Sequence, residues 1–226
     1  KFEAKGPIKL MPSVERDCLC FGTDNGYIYT LQCKTGSILW QKYLGNKFKC
    51  ASEPIIIKNN VIFISKQGDI IAYHLFSGNK IWGLRLPERI FSKVTQDNMN
   101  LYMSLRNHLA CFNLDTKKIT WRTRIQGNCV ANVFCSKQSI YLGTTEGYVY
   151  ALSRIDGSFL WRKKLSNNIQ STLWEENNYV YVGCMDGQVH ILLSKNGMPY
   201  WNFQYSTKGI LCDIIGTSRA IYIGTM

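Results

Sequence analysis

The segment Ile140-Tyr-Leu-Gly143-Thr-Thr-Glu-Gly147-Tyr-Val-Tyr-Ala-Leu152, followed by Asp156-Gly157 and Trp161, decides the fold, because close copies of it recur along the chain. Two short apolar runs flank the first glycine turn, and a second glycine turn leads to the run that contains the tryptophan. Tight glycine turns between short apolar runs predict antiparallel strands joined by hairpins. Each copy therefore predicts three consecutive strands.

The copies follow one another at a period of about 40 residues, which is typical of repeat architectures. Five of the six tryptophans mark this period, at Trp40, Trp82, Trp121, Trp161 and Trp201, with spacings of 42, 39, 40 and 40 residues. The first turn of the repeat carries Gly26, Gly68, Gly147 and Gly187, and the second turn carries Gly36, Gly78, Gly157 and Gly197. We predict that these thirteen residues are structural repeat positions, with the tryptophans in blade-docking contacts.

The third copy has lost both turn glycines, with Asn107 and Lys117 at the corresponding places. Asparagine tolerates a positive φ better than most residues, so Asn107 is expected to keep the first turn. Lysine does not share this tolerance. The second turn of the third copy is therefore expected to be rebuilt.

A further apolar segment precedes each copy and predicts a fourth strand. These segments are Ile8 to Met11, Pro54 to Ile57, Phe91 to Val94, Val130 to Cys135, Ser171 to Trp174 and Leu211 to Ile215. Four strands per 40 residues is the composition of a propeller blade. The predicted fold class is all-β, a β-propeller of four-stranded antiparallel blades with five repeats and partial flanking ones.

The strand after the first turn is apolar on both of its faces. In the fourth copy Val149 and Ala151 lie on one face and Tyr150 on the other. Two-sided burial is expected of strands that are covered by neighbouring sheets on either side. The tryptophan strand instead runs into polar and basic residues, as at Arg162, which predicts an exposed edge where charge opposes pairing with other chains.

Both ends of the chain match interior parts of the repeat. The segment Lys1-Phe-Glu-Ala-Lys-Gly6-Pro-Ile8 resembles the residues that follow Trp201, which predicts a tryptophan just ahead of Lys1. The last residues, Ile221 to Met226, match the start of a sixth copy. We expect a single propeller domain over residues 1–226, incomplete at both ends and belonging to a ring of seven or eight blades.

Charge and cysteine content bound the partners and the compartment. Lysine and arginine exceed acidic residues by 27 to 15, a net charge of +12, yet the basic residues are dispersed and form no aromatic and basic stripe, which disfavours nucleic acid as partner. No apolar run is long enough to span a bilayer, and residues 1–16 lack the pattern of a secretory signal. Nine irregularly spaced cysteines in a domain of this size indicate a reducing, intracellular and cytoplasmic setting.

The repeated pattern Gly-x-x-Asp/Asn-Gly-x-x-Tyr-x-Leu, then Thr-Gly-x-x-x-Trp, resembles the pyrroloquinoline-quinone-type (PQQ-like) repeat. The resemblance covers nearly the whole chain and implies a propeller with a docking tryptophan in the outer strand. Dehydrogenases, non-enzymatic scaffolds and appended sensor-like domains share this repeat, so the resemblance alone does not choose among these functions.

A finer resemblance rests on Val182-Gly-Cys-Met-Asp-Gly187, on Trp201-Asn-Phe-Gln-Tyr-Ser-Thr-Lys-Gly-Ile210 and on the many cysteines. These phrases resemble the C-terminal propeller of the animal β-alanine-activating enzyme family, which is related to aminoadipate-semialdehyde dehydrogenase. The resemblance implies an adenylate-forming ligase as parent, with ATP and phosphopantetheine used elsewhere in it. The adenylation motifs and the carrier serine are absent from these residues.

No catalytic, cofactor-binding or metal-binding residue is predicted within the chain. A quinoprotein dehydrogenase is disfavoured, and PQQ with it, because the chain has no adjacent cysteine pair. Asp24, Glu146 and Asp186 lie in the same turn of three repeats, and turn chemistry explains them better than a metal does. The three histidines, His74, His108 and His190, occupy different repeat positions and are not expected to converge on one site.

Two functional classes remain open on these residues. In the first, the chain is a non-catalytic binding or scaffolding propeller that presents its rim or central opening to a protein, a carrier domain or a small ligand. Its parent is then an acid-activating ligase, or it is a stand-alone assembly scaffold. In the second, the chain is part of a PQQ-dependent dehydrogenase. The cysteine pattern favours the first class.

Overall fold

The computed structural model describes residues 2–130, 132–165, 168–206, 208–210, 213–216 and 220–224. Every regular element among these residues is a β-strand, and the all-β prediction is confirmed. The strands are β1 (Ser13–Glu15), β2 (Cys18–Gly22), β3 (Tyr27–Gln32), β4 (Ile38–Tyr43), β5 (Ile55–Ile57), β6 (Asn60–Ile64), β7 (Asp69–His74), β8 (Lys80–Arg85), β9 (Thr95–Asp97), β10 (Asn100–Leu105), β11 (His108–Asn113), β12 (Lys118–Arg124), β13 (Phe134–Cys135), β14 (Ser139–Gly143), β15 (Tyr148–Ser153), β16 (Phe159–Lys164), β17 (Trp174–Glu176), β18 (Tyr179–Gly183), β19 (Gln188–Leu193), β20 (Pro199–Gln204), β21 (Ile215–Gly216) and β22 (Ile221–Tyr222).

The strands form antiparallel sheets in which chain order and spatial order agree. A first compact unit, residues 1–90, holds sheet 1 (β1 to β4) and sheet 2 (β5 to β8). A second unit, residues 91–226, holds sheet 3 (β9 to β12), sheet 4 (β13 to β16), sheet 5 (β17 to β20) and the pair β21 and β22. Each four-stranded sheet contains one tryptophan repeat, as expected of a propeller blade. The single domain over 1–226 stays a prediction.

Hydrophobic cores lie where neighbouring sheets of one unit face each other. One core of the second unit joins side chains of sheet 3, such as Tyr102 and Trp121, to side chains of sheet 4, such as Tyr150. Another joins Trp161 of sheet 4 to Val182 of sheet 5. The corresponding core of the first unit joins sheets 1 and 2. Face-to-face packing of successive four-stranded sheets is the arrangement of propeller blades.

The middle strands are buried on both faces, as the sequence predicts. In β15, Val149, Tyr150 and Ala151 are at most 1% exposed, although they alternate between the two faces. The tryptophan strand at the sheet edge behaves differently, because in β16 only Trp161 is buried while most of its neighbours are exposed. Exposed basic side chains along this edge oppose edge-to-edge pairing.

The two turns of sheet 3 that lack glycine both differ from the predictions made for them. Its first turn is one residue shorter than in sheet 4, since two residues separate the paired Leu105 and His108, whereas three separate Thr144 from Tyr148, whose backbone oxygen accepts from the Thr144 amide. The left-handed residue of this short hairpin is Arg106, with φ 44, and not Asn107 as predicted. Because the turn is one residue shorter, the positive φ falls on Arg106. An alignment of the turn glycines alone does not show this deletion.

The second turn of sheet 3 keeps its shape, so the prediction of a rebuilt turn is wrong. Lys117 itself adopts a left-handed conformation, with φ 56. The side-chain oxygen of Asn113 accepts hydrogen bonds from the backbone amides of Asp115 and Thr116, at 3.1 and 2.9 Å. An Asx-type side-chain contact thus stabilises a turn in which glycine is missing.

The first strand of most sheets begins later than predicted. Pro54 to Ile57 agrees with β5, but Ile8 to Met11 and Phe91 to Val94 precede β1 and β9 without forming strands. Ser171 to Trp174 overlaps its strand only at the end, and so does the described part of Val130 to Cys135. Ala131, Leu211 and Cys212 of the predicted segments lie outside the described residues. The first strands β1, β9 and β17 have few apolar side chains, and the first strands of sheets 1, 2, 3 and 5 are joined to the next strand by two-residue turns with left-handed non-glycine residues. These residues are Arg16, Asp17, Lys58, Asn98, Asn177 and Asn178.

Candidate functional site

The periodic tryptophans dock each sheet onto the next one within a unit. The indole Nε1 of Trp40 donates a hydrogen bond to the backbone oxygen of Leu75 at 2.8 Å. Trp121 donates in the same way to the oxygen of Arg154 at 3.3 Å. These residues stand at equivalent places of successive repeats, so the contact is a repeated structural joint.

The joint between sheets 4 and 5 shows why the receiving turn carries glycine. Trp161 donates to the oxygen of Ser194 at 2.7 Å, and its ring lies on Gly197. Gly197 has φ +69, and a Cβ atom there would come within 2.4 Å of the Trp161 ring. Left-handed backbone and close ring approach both require glycine. Gly78 and Gly157 receive Trp40 and Trp121 in the same manner.

The remaining predicted repeat residues differ in exposure and backbone conformation. Trp201 is 59% exposed, and Gly36 has nothing within 4 Å of where a Cβ would stand. Trp82 is half-buried. The first-turn glycines have positive φ in their hairpins, with values of 90, 94, 78 and 79 at Gly26, Gly68, Gly147 and Gly187.

The recurring acidic turn residues make separate local contacts. Asp24 accepts a hydrogen bond from the ammonium of Lys9 at 2.6 Å, and this bond holds the pKa of Asp24 below its usual value. Asp186 accepts a hydrogen bond from the backbone amide of Gln188 at 3.1 Å. In the described ranges, no three His, Cys, Asp or Glu side chains come close enough to hold a metal ion.

The histidines are also dispersed. His74 contacts Ser77 in its own hairpin through Nδ1, at 3.0 Å from the hydroxyl. His108 begins β11 of sheet 3, whereas His190 lies in β19 of sheet 5. Burial lowers the pKa of His190. The three histidines thus lie on three different sheets.

The eight described cysteines are free thiols, and most are buried among apolar side chains. Burial raises the pKa of Cys20, Cys129 and Cys184 to about 12. Thiols with so high a pKa are poor nucleophiles at neutral pH. Cys33 differs, because its side chain is exposed.

A cleft between sheets 3 and 4, both in the second unit, is the candidate interaction site. Its volume is about 520 Å³. We call it the basic cleft. One side is lined by Asn107 and residues 124–128, and the other by Glu146, Tyr150, Phe159 and Arg162. The sequence did not reveal it, because Arg124 and Arg162 are 38 residues apart and only the packing of two blades brings them to one opening.

Backbone hydrogen bonds and one close contact join the two sides of the basic cleft in its inner part. The hydroxyl of Tyr150, a buried residue, accepts a hydrogen bond from the backbone amide of Gln126 at 2.9 Å. Gly127, with φ +88, lies against the carboxylate of Glu146, which occupies the space where a Cβ would stand. The amide of Thr145 donates to the oxygen of Asn128 at 3.0 Å. These contacts fix the loop after β12 to the turn before β15.

The mouth of the basic cleft carries positive charge and an aromatic ring. Arg124 and Arg162 are exposed, and among the described residues neither forms an ion pair. The ammonium of Lys164 contacts the backbone oxygen of Glu146 and lies 4.5 Å from the ring centre of Tyr148. Phe159 is 51% exposed beside Tyr150, with ring centres 5.7 Å apart.

The fold and these joints define the chain as a PQQ-like repeat β-propeller. A family model described as outer membrane protein assembly factor BamB matches residues 8–123 and 124–223. The chain therefore belongs to this BamB-type family of PQQ-like repeat proteins.

Individual relatives are distant. The outer membrane protein assembly factor BamB of Legionella pneumophila (strain Paris) is 24% identical over 160 residues, which is 66% of this chain and 41% of that protein. The BamB of Moranella endobia (strain PCIT) is 23% identical over 148 residues, 60% of this chain and 37% of that protein. The chain thus spans about two fifths of the length of these curated relatives.

Solved structures agree on the fold. BamB from Moraxella catarrhalis superposes with a TM-score of 0.77 at 19% identity, over 95% of this chain and 68% of that one. Quinohemoprotein alcohol dehydrogenase from Comamonas testosteroni gives 0.73 at 10% identity, over 89% of this chain and 43% of that one. Identities this low support the shared architecture and nothing finer.

None of the described residues belongs to a helix long and apolar enough to cross a membrane.

Proposed function

We propose that this chain is a non-catalytic propeller module that binds a protein partner and serves as an assembly scaffold. The observation that carries the proposal is the basic cleft, whose two exposed arginines form no ion pair with any described acidic residue. Membership of a family described as an assembly factor supports the same function. Rigid sheets that position variable loops are a common frame for protein recognition.

Most of the chemistry of the chain serves packing. Trp161 joins two blades, Asp24 binds Lys9, Asp186 stabilises its own turn, and burial keeps thiols such as Cys184 protonated at neutral pH. Arg124, Arg162 and Phe159 are exposed, and arginine and aromatic side chains are the types that interfaces use most. A binding role therefore accounts for more of the surface than a catalytic role does.

The test is isolation of the native protein from its source cells at physiological salt, followed by reconstitution of the complex from purified components. We expect one protein to copurify in a fixed ratio and to re-form a complex of defined mass with this chain by light scattering. The scaffold function is wrong if the purified chain forms no complex with any of the copurified proteins and instead reduces a dye when PQQ and an alcohol are added.

A second candidate keeps the scaffold role but places it in a larger enzyme. It rests on the resemblance of Val182 to Gly187 and of Trp201 to Ile210 to the propeller of the β-alanine-activating enzyme family. In this case the partner is a carrier domain, reached within the same polypeptide, and ATP and phosphopantetheine act outside residues 1–226. The free, buried cysteines favour an intracellular parent of this kind.

The mass of the native polypeptide separates these candidates. A protein several times larger than 26.0 kDa that carries a phosphopantetheine adduct supports the ligase parent. A secreted, processed propeller without the adduct contradicts it and leaves the stand-alone scaffold.

A further inference from the structure

We propose that the basic cleft binds an acidic peptide segment, with its carboxylates on Arg124 and Arg162 and an apolar side chain on Phe159. This inference rests on the proposed scaffold function and specifies the chemistry of the partner. The occupant is a segment of another protein in extended form, because Phe159 and Arg162 of the exposed edge strand β16 line one side of the cleft.

Charge complementarity is the first argument. Among the lining residues, Arg124 and Arg162 are cationic and Glu146 is the acidic one. Lys164 adds a third cation at the turn beside Glu146. Guanidinium groups that form no ion pair with the described residues can make charge-assisted, bidentate hydrogen bonds with a carboxylate without first breaking such a pair.

The shape of the cleft is the second argument. Its walls are fixed to each other by the hydrogen bond between Tyr150 and Gln126 and by the close packing of Gly127 on Glu146. A cleft with fixed walls loses little conformational freedom when a ligand binds, so more of the contact energy appears as affinity. Side chains that can both donate and accept, such as those of Asn107 and Asn128, line it and suit the amide groups of a peptide backbone.

A nucleic acid fits the same site less well. A phosphate chain places a negative charge at every nucleotide, and Glu146 would lie beside it inside the cleft. Binders of single strands also offer several stacking rings in a row, whereas Phe159 is the exposed ring that lines this opening. An acidic peptide avoids both conflicts, since its charges are spaced by neutral backbone.

The experiment measures fluorescence anisotropy of a labelled nonapeptide of glutamate, aspartate and one phenylalanine, titrated with the protein at 50 and 150 mM salt. The test variant is R124Q/R162Q, and the matched control is R89Q/K195Q, which removes the same charge from exposed residues that do not line the cleft. A peptide with lysine in place of the acidic residues and a single-stranded oligonucleotide of equal charge are measured in parallel.

We expect R124Q/R162Q to weaken binding of the acidic peptide at least about tenfold and the control to change it less than about twofold. Phe159→Ala, at an exposed position, is expected to weaken it about threefold and provides a readout should the double variant melt early. Equal affinities of the wild type and R124Q/R162Q, or tighter binding of the oligonucleotide than of the peptide, would overturn the proposal.

The peptide-binding inference and the scaffold function can fail independently of each other. If R124Q/R162Q still forms the reconstituted complex with unchanged affinity, the partner docks elsewhere and this inference is wrong while the scaffold function holds. If the variant loses both the peptide and the partner while the control retains both, the cleft is the docking site.

Discussion

Replacement of Trp161 tests whether the tryptophan joints hold adjacent blades together. Trp161 is 8% exposed, and its Nε1 donates to the backbone oxygen of Ser194 at 2.7 Å. Truncation of a buried tryptophan to alanine costs about 3–5 kcal/mol through lost burial and the cavity left behind. Trp201 occupies the same repeat position but is 59% exposed, so Trp201→Ala is expected to cost under about 1 kcal/mol.

The more conservative Trp161→Phe variant isolates the hydrogen bond from the ring packing. It keeps an aromatic ring near Gly197 but leaves the oxygen of Ser194 without its donor, which costs about 1–3 kcal/mol. Urea unfolding followed by far-ultraviolet circular dichroism gives the free energy of unfolding for the four proteins. If Trp161→Ala and Trp201→Ala lower it by the same amount, the joints contribute nothing special and the reasoning fails.

Three further predictions follow from the same structure. Gly197→Ala is expected to destabilise the protein more than Gly36→Ala by about 1 kcal/mol or more. The two glycines have the same φ, near +70, but of the two only Gly197 faces a tryptophan ring, so coinciding urea midpoints would contradict the steric argument. Burial raises the pKa of Cys184 from 9.0 to about 12, so the free energy of unfolding is unaffected below pH 9 and falls as the pH rises toward 12, because the thiol of the unfolded chain ionises first. Cys184→Ala should lessen that fall by about 1 kcal/mol at pH 10, measured by urea unfolding at pH 8 and 10, and a fall equal to that of the wild type would refute the prediction. Iodoacetamide at pH 8 is expected to modify Cys33 far faster than Cys184 in the folded protein, and peptide mapping that finds equal rates would show that the burial is not maintained in solution.

Much of the blade could be predicted from sequence because its signals are local. A glycine turn and an alternating apolar run lie within ten residues of each other, as from Gly147 to Leu152, and the 40-residue period repeats them. Two-sided burial of β15 and the exposure of β16 both followed from the residue types alone. These properties depend on neighbours along the chain.

Most of the first strands were placed too early because the turns that follow them contain no glycine. In the turn between β1 and β2, Arg16 and Asp17 have left-handed conformations, and no glycine or asparagine predicts the turn. Short strands with exposed side chains, such as Val14, also lack apolar alternation. Their position is fixed by hydrogen bonding to the next strand, a contact that propensity does not encode.

The sequence by itself determined the all-β class, the four-stranded repeat and the residues that mark it, because each repeat carries its own turn and burial pattern. Only the tertiary structure decided what the repeated residues contact, as when Trp161 reaches Gly197 of the next sheet. The same holds for the basic cleft, where Arg124 and Arg162 meet at one opening. Such sites arise from packing between repeats, and packing brings together side chains whose separation in sequence gives no sign that they are neighbours.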